Sequence, residues 1–199
     1  METKIKLQPL RKEQTVVFKE EMQEAFQHGF DFQSSLLTLG RADTSIALPS
    51  LNRSIESYYK DDNQWQVLPD KDFYQSLEAE SAEAYEAIDT DGLRVWGAII
   101  AIDAAKHHGE LSFLYVKVGV QSKGIGQAIW KAIETLHPEI EVWETCTPYF
   151  DRRNIHFYIN SLGFHAVEFF NEHHPDPNMP EQFDQEDGLF KFEKRIIHD

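Results

Sequence analysis

A chain of 199 residues with 41% hydrophobic and 13% aromatic side chains can bury one domain's core and carries too many aromatics for a disordered chain. Its 34 acidic residues outnumber its 19 basic ones, a net charge of −15 that argues against nucleic-acid or anionic-membrane partners, both of which select Lys and Arg. The single cysteine, Cys146, excludes an internal disulfide and a cysteine-built zinc site, and no apolar run approaches the roughly 20 residues of a membrane span. Met1 to Arg11 lacks the continuous apolar stretch of a signal peptide, so a soluble, cytoplasmic protein is expected.

Lys4 to Leu7 alternates polar and apolar residues until Pro9, which predicts a short first strand. Lys12 to Gly29 carries Val16, Val17, Ala25 and Phe26 at helical spacing, with Gly29 as the expected stop. Phe30 to Gln66 holds Gly40, Pro49 and many Ser, Asn and Asp residues. A loop with one or two short helices is expected there, Leu51 to Tyr59 being the candidate. Asp70 is the expected N-cap of a helix running to about Glu80.

The pattern then turns to β. Ala84 to Ile88, Leu93 to Ile102 and Leu111 to Val118 read as strands, with Asp91-Gly92 as a hairpin turn and Lys106 to Gly109 as a link. Gly124 to Leu136 places Ile125, Ile129, Ala132, Ile133 and Leu136 on one helical stripe, ended by His137-Pro138. Ile140 to Thr145 reads as a strand, Asn154 to Leu162 as a helix stopped by Gly163, and Phe164 to Phe170 and Leu189 to Ile196 as the last two strands. A polar loop with three prolines, Asn171 to Asp187, joins those two. The order β-α-α-β-β-β-α-β-α-β-β belongs to an α+β chain with a mixed sheet, not to a doubly wound or all-β fold. Neither an internal repeat nor a linker interrupts residues 1–199, which read as a single domain.

The most informative stretch is Leu114 to Gly126, a strand passing through a Gly-containing turn straight into a helix. The first N–H groups of a helix lack intrahelical partners, the helix dipole adds positive charge there, and glycines let an anion approach the backbone. Gly124-Ile125-Gly126-Gln127-Ala128-Ile129 lacks the last glycine of a dinucleotide fingerprint, and no Lys-Ser/Thr follows to make a P-loop. The turn alone leaves two readings open: an anion cradle, or a tight strand-to-helix connection.

The wider pattern is Leu114-x-Val116, Gln121-x-x-Gly124-x-Gly126, an amphipathic helix, a strand, and a helix ending in Leu162-Gly163-Phe164. It resembles the GNAT superfamily of N-acetyltransferases, most specifically over Glu110 to Phe170. Val142-Trp143-Glu144-Thr145, Thr147-Pro148-Tyr149-Phe150 and Arg153-Asn154-Ile155-His156-Phe157-Tyr158 look like an uncharacterised bacterial branch of it. The resemblance implies a mixed, mostly antiparallel seven-stranded sheet flanked by helices and splayed between its fourth and fifth strands. It implies acetyl-CoA as cosubstrate, an amine as acceptor and no metal. The pantetheine arm would pair with Leu114, Val116 and Val118. The pyrophosphate would sit on Gln121, Ser122, Lys123, Gly124, Ile125 and Gly126.

By the same resemblance the Val116 N–H, turned into the gap by a bulge, would bind the oxyanion. Glu110 would be the base, acting through a water at the mouth of the gap, or simply a solvated strand end. Strand alternation predicts Glu110, Ser112, Leu114 and Val116 on one face. Tyr158 would be the acid for the leaving thiolate, yet it stands five residues before Gly163 where most relatives place the tyrosine four before. Either the helix end holds an extra residue near Asn160, or Tyr158 points into the core. Asn154 would be a cofactor contact or an N-cap.

Cys146 reads as a small buried hydrophobe rather than a nucleophile, and His173-His174 with Asp176 as a loop rather than a metal site. His107-His108 reads as an exposed turn. Trp130 and Trp143 read as core or interface, and Trp130 with Phe150 could serve a homodimer. The acceptor is expected between residues 29–59 and the 171–187 loop. The loop's Glu172, Asp176, Glu181, Asp184, Glu186 and Asp187 would form an acidic rim or an ordinary solvated surface. Two functions follow: an acetyl-CoA-dependent N-acetyltransferase, or a non-catalytic acyl-CoA-binding regulatory module on the same fold.

Overall fold

The β-rich runs pair into one seven-stranded sheet of order β1-β2-β3-β4-β5-β7-β6. Its strands are β1 (Lys6–Pro9), β2 (Ala82–Ile88), β3 (Arg94–Asp103), β4 (His108–Val116), β5 (Val142–Pro148), β6 (His165–Phe170) and β7 (Leu189–Arg195). Every neighbouring pair is antiparallel except β4 and β5. The computed structural model describes residues 6–39, 67–89, 91–120, 124–149, 151–177 and 188–197, and of residues 30–39 it describes the backbone. The Leu51 to Tyr59 helix lies outside the described residues, as do Gln121, Ser122, Lys123, Phe150 and the acidic positions from Glu181 to Asp187.

Four α-helices accompany the sheet among the described residues: α1 (Thr15–Leu39), α2 (Asp70–Leu77), α3 (Ile125–Leu136) and α4 (Arg152–His156). The expected stop at Gly29 does not occur, and α1 runs ten residues further, to Leu39. Gly29 is not in the left-handed conformation of a glycine stop. It sits inside the helix, where a glycine costs only about 1 kcal/mol relative to alanine. Asp70 is the first helical residue rather than the cap, a position taken by the extended Pro69. Its carboxylate instead accepts from Lys19 Nζ at 2.6 Å and Gln23 Nε2 at 2.8 Å, clamping α2 to α1. β4 begins at His108, so only His107, in the left-handed region at φ 53°, remains of the predicted exposed turn.

Two apolar layers hold the sheet. On one face α1 and α2 bury Phe18, Met22 and Phe73 against Ile99 and Tyr115. On the other, α3 and α4 cover a larger cluster containing Trp96, Trp130, Trp143, Phe164 and Phe192. Trp130 is almost fully buried and packs edge-on against Trp143 at 5.1 Å, so it belongs to the core and is not available to a dimer interface. Burying each such side chain stabilises the fold by about 1.5–3 kcal/mol.

A charged network bolts α1 to the sheet. Arg94 of β3 donates to Glu86 of β2 at 2.7 Å, to Glu21 of α1 at 2.8 Å and to Gln14 at 3.1 Å. Lys117 and the Tyr115 hydroxyl also donate to Glu21, at 2.7 and 3.1 Å. Burial pushes the Glu21 carboxyl up, but the bonds from Lys117 and Arg94 outweigh it and hold the group below the ordinary carboxylate value.

Candidate active site

β4 and β5 pair over His108–Val142, Gly109–Trp143 and Glu110–Glu144, then separate. Beyond this fork β4 stays on β3 as far as Trp96–Val116, and β5 stays on β7 as far as Pro148–Leu189. The Lys117 N–H donates to the Val95 carbonyl at 3.0 Å. Backbone groups alternate sides along an antiparallel strand, so Phe113 and Tyr115 share Lys117's side while Leu114 and Val116 turn theirs into the gap. A cavity of about 720 Å³ occupies the gap and reaches both faces of the sheet. Ala25, Phe26 and Leu68 line it on the α1 face; Gly124, Gly126 and Asn154 line it on the α3 face.

At the α3 end the helix starts behind Gly124, which is left-handed at φ 97° and has open space where a Cβ would stand. The first helical bond runs from Ala128 N to Gly124 O at 3.0 Å, so the N–H groups of Ile125, Gly126 and Gln127 precede any intrahelical acceptor. Gly126 has a second reason to be glycine. A Cβ there would stand 2.7 Å from the Phe157 ring. Val118 lines the cavity just before this end.

The bulge in β4 falls at Ser112, not at Val116. Ile99 pairs with Phe113 and Ile100 with Leu111, leaving Ser112 as the extra residue. The insertion reverses the alternation. Leu111, Leu114 and Val116 pack toward the α3 face, whereas Phe113 and Tyr115 join the α1 layer. Glu110 therefore lies on the opposite face from Leu114 and Val116, correcting the single face expected for Glu110, Ser112, Leu114 and Val116. Glu110 is exposed at the fork and accepts from Ser112 Oγ at 3.3 Å, and Ser112 lines the cavity.

The unusual spacing of Tyr158 has a local cause. α4 widens into a π turn over Phe157–Leu162, and both Gly163 N–H and Phe164 N–H return to the Tyr158 carbonyl, the latter at 2.9 Å. A π turn takes in one residue more than an α turn. The extra residue is thus absorbed between Tyr158 and Gly163, and Tyr158 both packs into the core and lines the cavity. Burial pushes its hydroxyl's pKa up.

Asp151, not Asn154, caps α4: its carboxylate accepts from Asn154 N at 3.0 Å and from Asn154 Nδ2 at 2.6 Å. Asn154 nonetheless borders the cavity, together with Arg153. Cys146 is exposed on β5 rather than the buried hydrophobe expected; it lines the cavity, and desolvation there with the nearby Asp176, Glu144 and Glu110 carboxylates pushes its thiol up to about 12. His173 pairs with Glu172 at 3.1 Å and His174 with Glu168 at 2.8 Å, so the two imidazoles diverge. Sequence reasoning gave no role to Ser112 or Arg153, both of which line the cavity. Nothing in a β-rich run distinguishes Ser112; only the bulge and the fork set it apart. No described helix is long and apolar enough to cross a membrane.

Residues 49–164 match the family model of the acetyltransferase (GNAT) family. The uncharacterized protein YrkN of Bacillus subtilis is 46% identical over 110 residues, 55% of this chain and 59% of that protein, so the match spans less than two thirds of that relative's length. Among solved structures, the PaiA N-acetyltransferase of Thermoplasma acidophilum in complex with coenzyme A superposes with a TM-score of 0.58 at 15% identity, covering 97% of this chain and 99% of that one. The spermidine N-acetyltransferase of Vibrio cholerae, in complex with CoA and spermine, gives 0.57 at 9% identity, covering 96% and 95%. At these identities the likeness is one of fold.

Proposed function

The chain belongs to the acetyltransferase (GNAT) family, and from that premise we propose that it transfers an acetyl group from acetyl-CoA to a primary amine by direct attack on the thioester. The observation that carries this reading is the convergence, in one cavity, of a splayed strand edge and the uncapped start of α3. An extended pantetheine arm would add to β4 as a strand does, meeting the gap-facing groups of Leu114 and Val116 and reaching Val118. The diphosphate would rest on Gln121, Ser122, Lys123, Gly124, Ile125 and Gly126, with Lys123 and Arg153 supplying charge and Asn154 a polar contact.

The chemistry asks for three proton or charge services. The amine must be neutral to attack, the developing oxyanion needs a donor, and the departing sulfur needs a proton. The Val116 N–H serves the oxyanion. Glu110 takes the ammonium proton through a water or through Ser112, whose hydroxyl spans the distance from Glu110 to the cavity. Tyr158 protonates the sulfur. The off-pattern spacing of Tyr158 is accommodated by the π turn, and the Tyr158 side chain lines the cavity. The test is a thiol-release assay against a panel of amines, run beside calorimetry with coenzyme A. Binding with amine-dependent thiol release is expected, and Tyr158→Phe should cut turnover at least tenfold while leaving coenzyme binding in place. Tight coenzyme binding with no amine-dependent release would replace this reading with the regulatory module.

A further inference from the structure

The first turn of α3 meets the π turn on both sides of Tyr158. Gly126 leaves room for the Phe157 ring, which would stand 2.7 Å from a Cβ at that position. One residue on, Gln127 Nε2 donates to the Ser161 carbonyl at 2.9 Å. Phe157 opens the π turn and Ser161 stands one residue before its end. The contacts therefore bracket Tyr158, whose ring lies 6.0 Å from that of Phe157. Gly126, Gln127, Phe157, Tyr158 and Ser161 all line the cavity.

The end of the π turn needs a donor from outside. The N–H groups of Gly163 and Phe164 both return to the Tyr158 carbonyl, so two donors are spent on one acceptor. The carbonyls after Tyr158 stand at a helix end, where no following turn supplies N–H groups. For Ser161 that donor comes from the side chain of another helix. Gln127 thus ties the end of the π turn to the stretch from Ile125 to Gln127, whose N–H groups precede any intrahelical acceptor.

We propose that Gln127 is a positioning residue: through its bond to Ser161, a diphosphate seated on the start of α3 steadies the π turn and holds Tyr158 on the cavity. The proposal rests on the coenzyme reading above and, for its effect on turnover, on Tyr158 as the acid. An anion held by the N–H groups of Ile125 and Gly126 restricts the first turn of α3. Gln127 belongs to that turn, so the restriction passes to Ser161 with no rearrangement of the fold. Coenzyme and acid are then a linked pair rather than independent features of one cavity.

The test is amide hydrogen exchange across residues 157–164 in the full chain, with and without saturating coenzyme A. Coenzyme should slow exchange there at least about threefold in the wild type. Gln127→Met, which keeps the length and the helix preference but has no donor, should abolish most of that slowing. Gln127→Lys, which again carries a donor, should restore it. In the thiol-release assay with the best amine of the panel, Gln127→Met should lower kcat about fivefold, the worth of one neutral hydrogen bond, with the coenzyme dissociation constant within about twofold of wild type. In a Tyr158→Phe background the same change should cost less than about twofold. Should Gln127→Met fold poorly, Gln127→Ala read in the same way replaces it. Equal slowing by coenzyme in the wild type and Gln127→Met, or equal losses of turnover in both backgrounds, would overturn the coupling. No heat with coenzyme A in the wild type would overturn the coenzyme reading itself, a result seen before any variant is made.

Discussion

Cys146 shows why a residue's reactivity is decided by its surroundings rather than by its reach. Its thiol is exposed and borders the cavity, yet desolvation there and the carboxylates of Asp176, Glu144 and Glu110 push it up. A free cysteine titrates near about 8.5, so near pH 8 the thiolate here is the scarcer. Alkylation by iodoacetamide, followed by mass spectrometry, should run slower than for a model thiol, and an equal rate would show that the carboxylates do not hold the proton on. Glu110 is the complementary case, a carboxylate outside the cavity that touches it through Ser112. Glu110→Gln should lower turnover at least tenfold near neutral pH and flatten the acid limb of the pH–rate profile. An unchanged profile removes Glu110 from the mechanism. Glu110 and Tyr158 were both legible as candidates because the motifs on either side fixed their neighbourhoods. Ser112, whose hydroxyl joins Glu110 to the cavity, was not, because its place at a bulge beside the fork depends on strand pairing that the sequence does not display.

At the level of elements, type was easier to read than extent. Seven strands and the helices around them follow from periodicity, and the splay follows from the resemblance. Two local events escaped and a third was left open between two readings. Gly29 was read as a stop, but a glycine ends a helix by adopting positive φ, and here it does not. The Ser112 bulge left the hydrophobic pattern of β4 intact while exchanging its faces, since both faces of that strand are covered by helices. The π turn was signalled by spacing, though spacing alone could not say whether the helix or the tyrosine would yield. Gly126 ties this turn to α3. Because a Cβ there would stand 2.7 Å from the Phe157 ring, Gly126→Ala should cost about 1–3 kcal/mol in chemical denaturation and weaken coenzyme binding. Adding Phe157→Leu should recover most of both losses. If Gly126→Ala weakens binding without destabilising the fold, the glycine serves the ligand alone.

For the whole molecule, the Arg94 network joins the α1 layer to the sheet beside the cavity. Glu86 is 1% exposed, so Arg94→Leu would strand a buried carboxylate and should destabilise the protein by about 3–5 kcal/mol in denaturant titrations. The network also sets an acid limit. Folding favours the ionised form of Glu21, so its contribution is complete at pH values well above its ordinary value of 4.5 and is lost as pH falls through the lower folded value. Melting temperature should drop more steeply with acidification in the wild type than in Glu21→Gln. A matching slope in the two proteins would show that Glu21 titrates alike folded and unfolded.

The cavity is lined from both faces of the sheet. Under the proposed transfer the two reactants would meet from opposite sides, and neither would have to vacate the passage for the other. Initial rates measured at several fixed concentrations of one reactant should give double-reciprocal lines that intersect, the signature of a ternary complex. Parallel lines would mean that the acyl group is parked on the protein between visits.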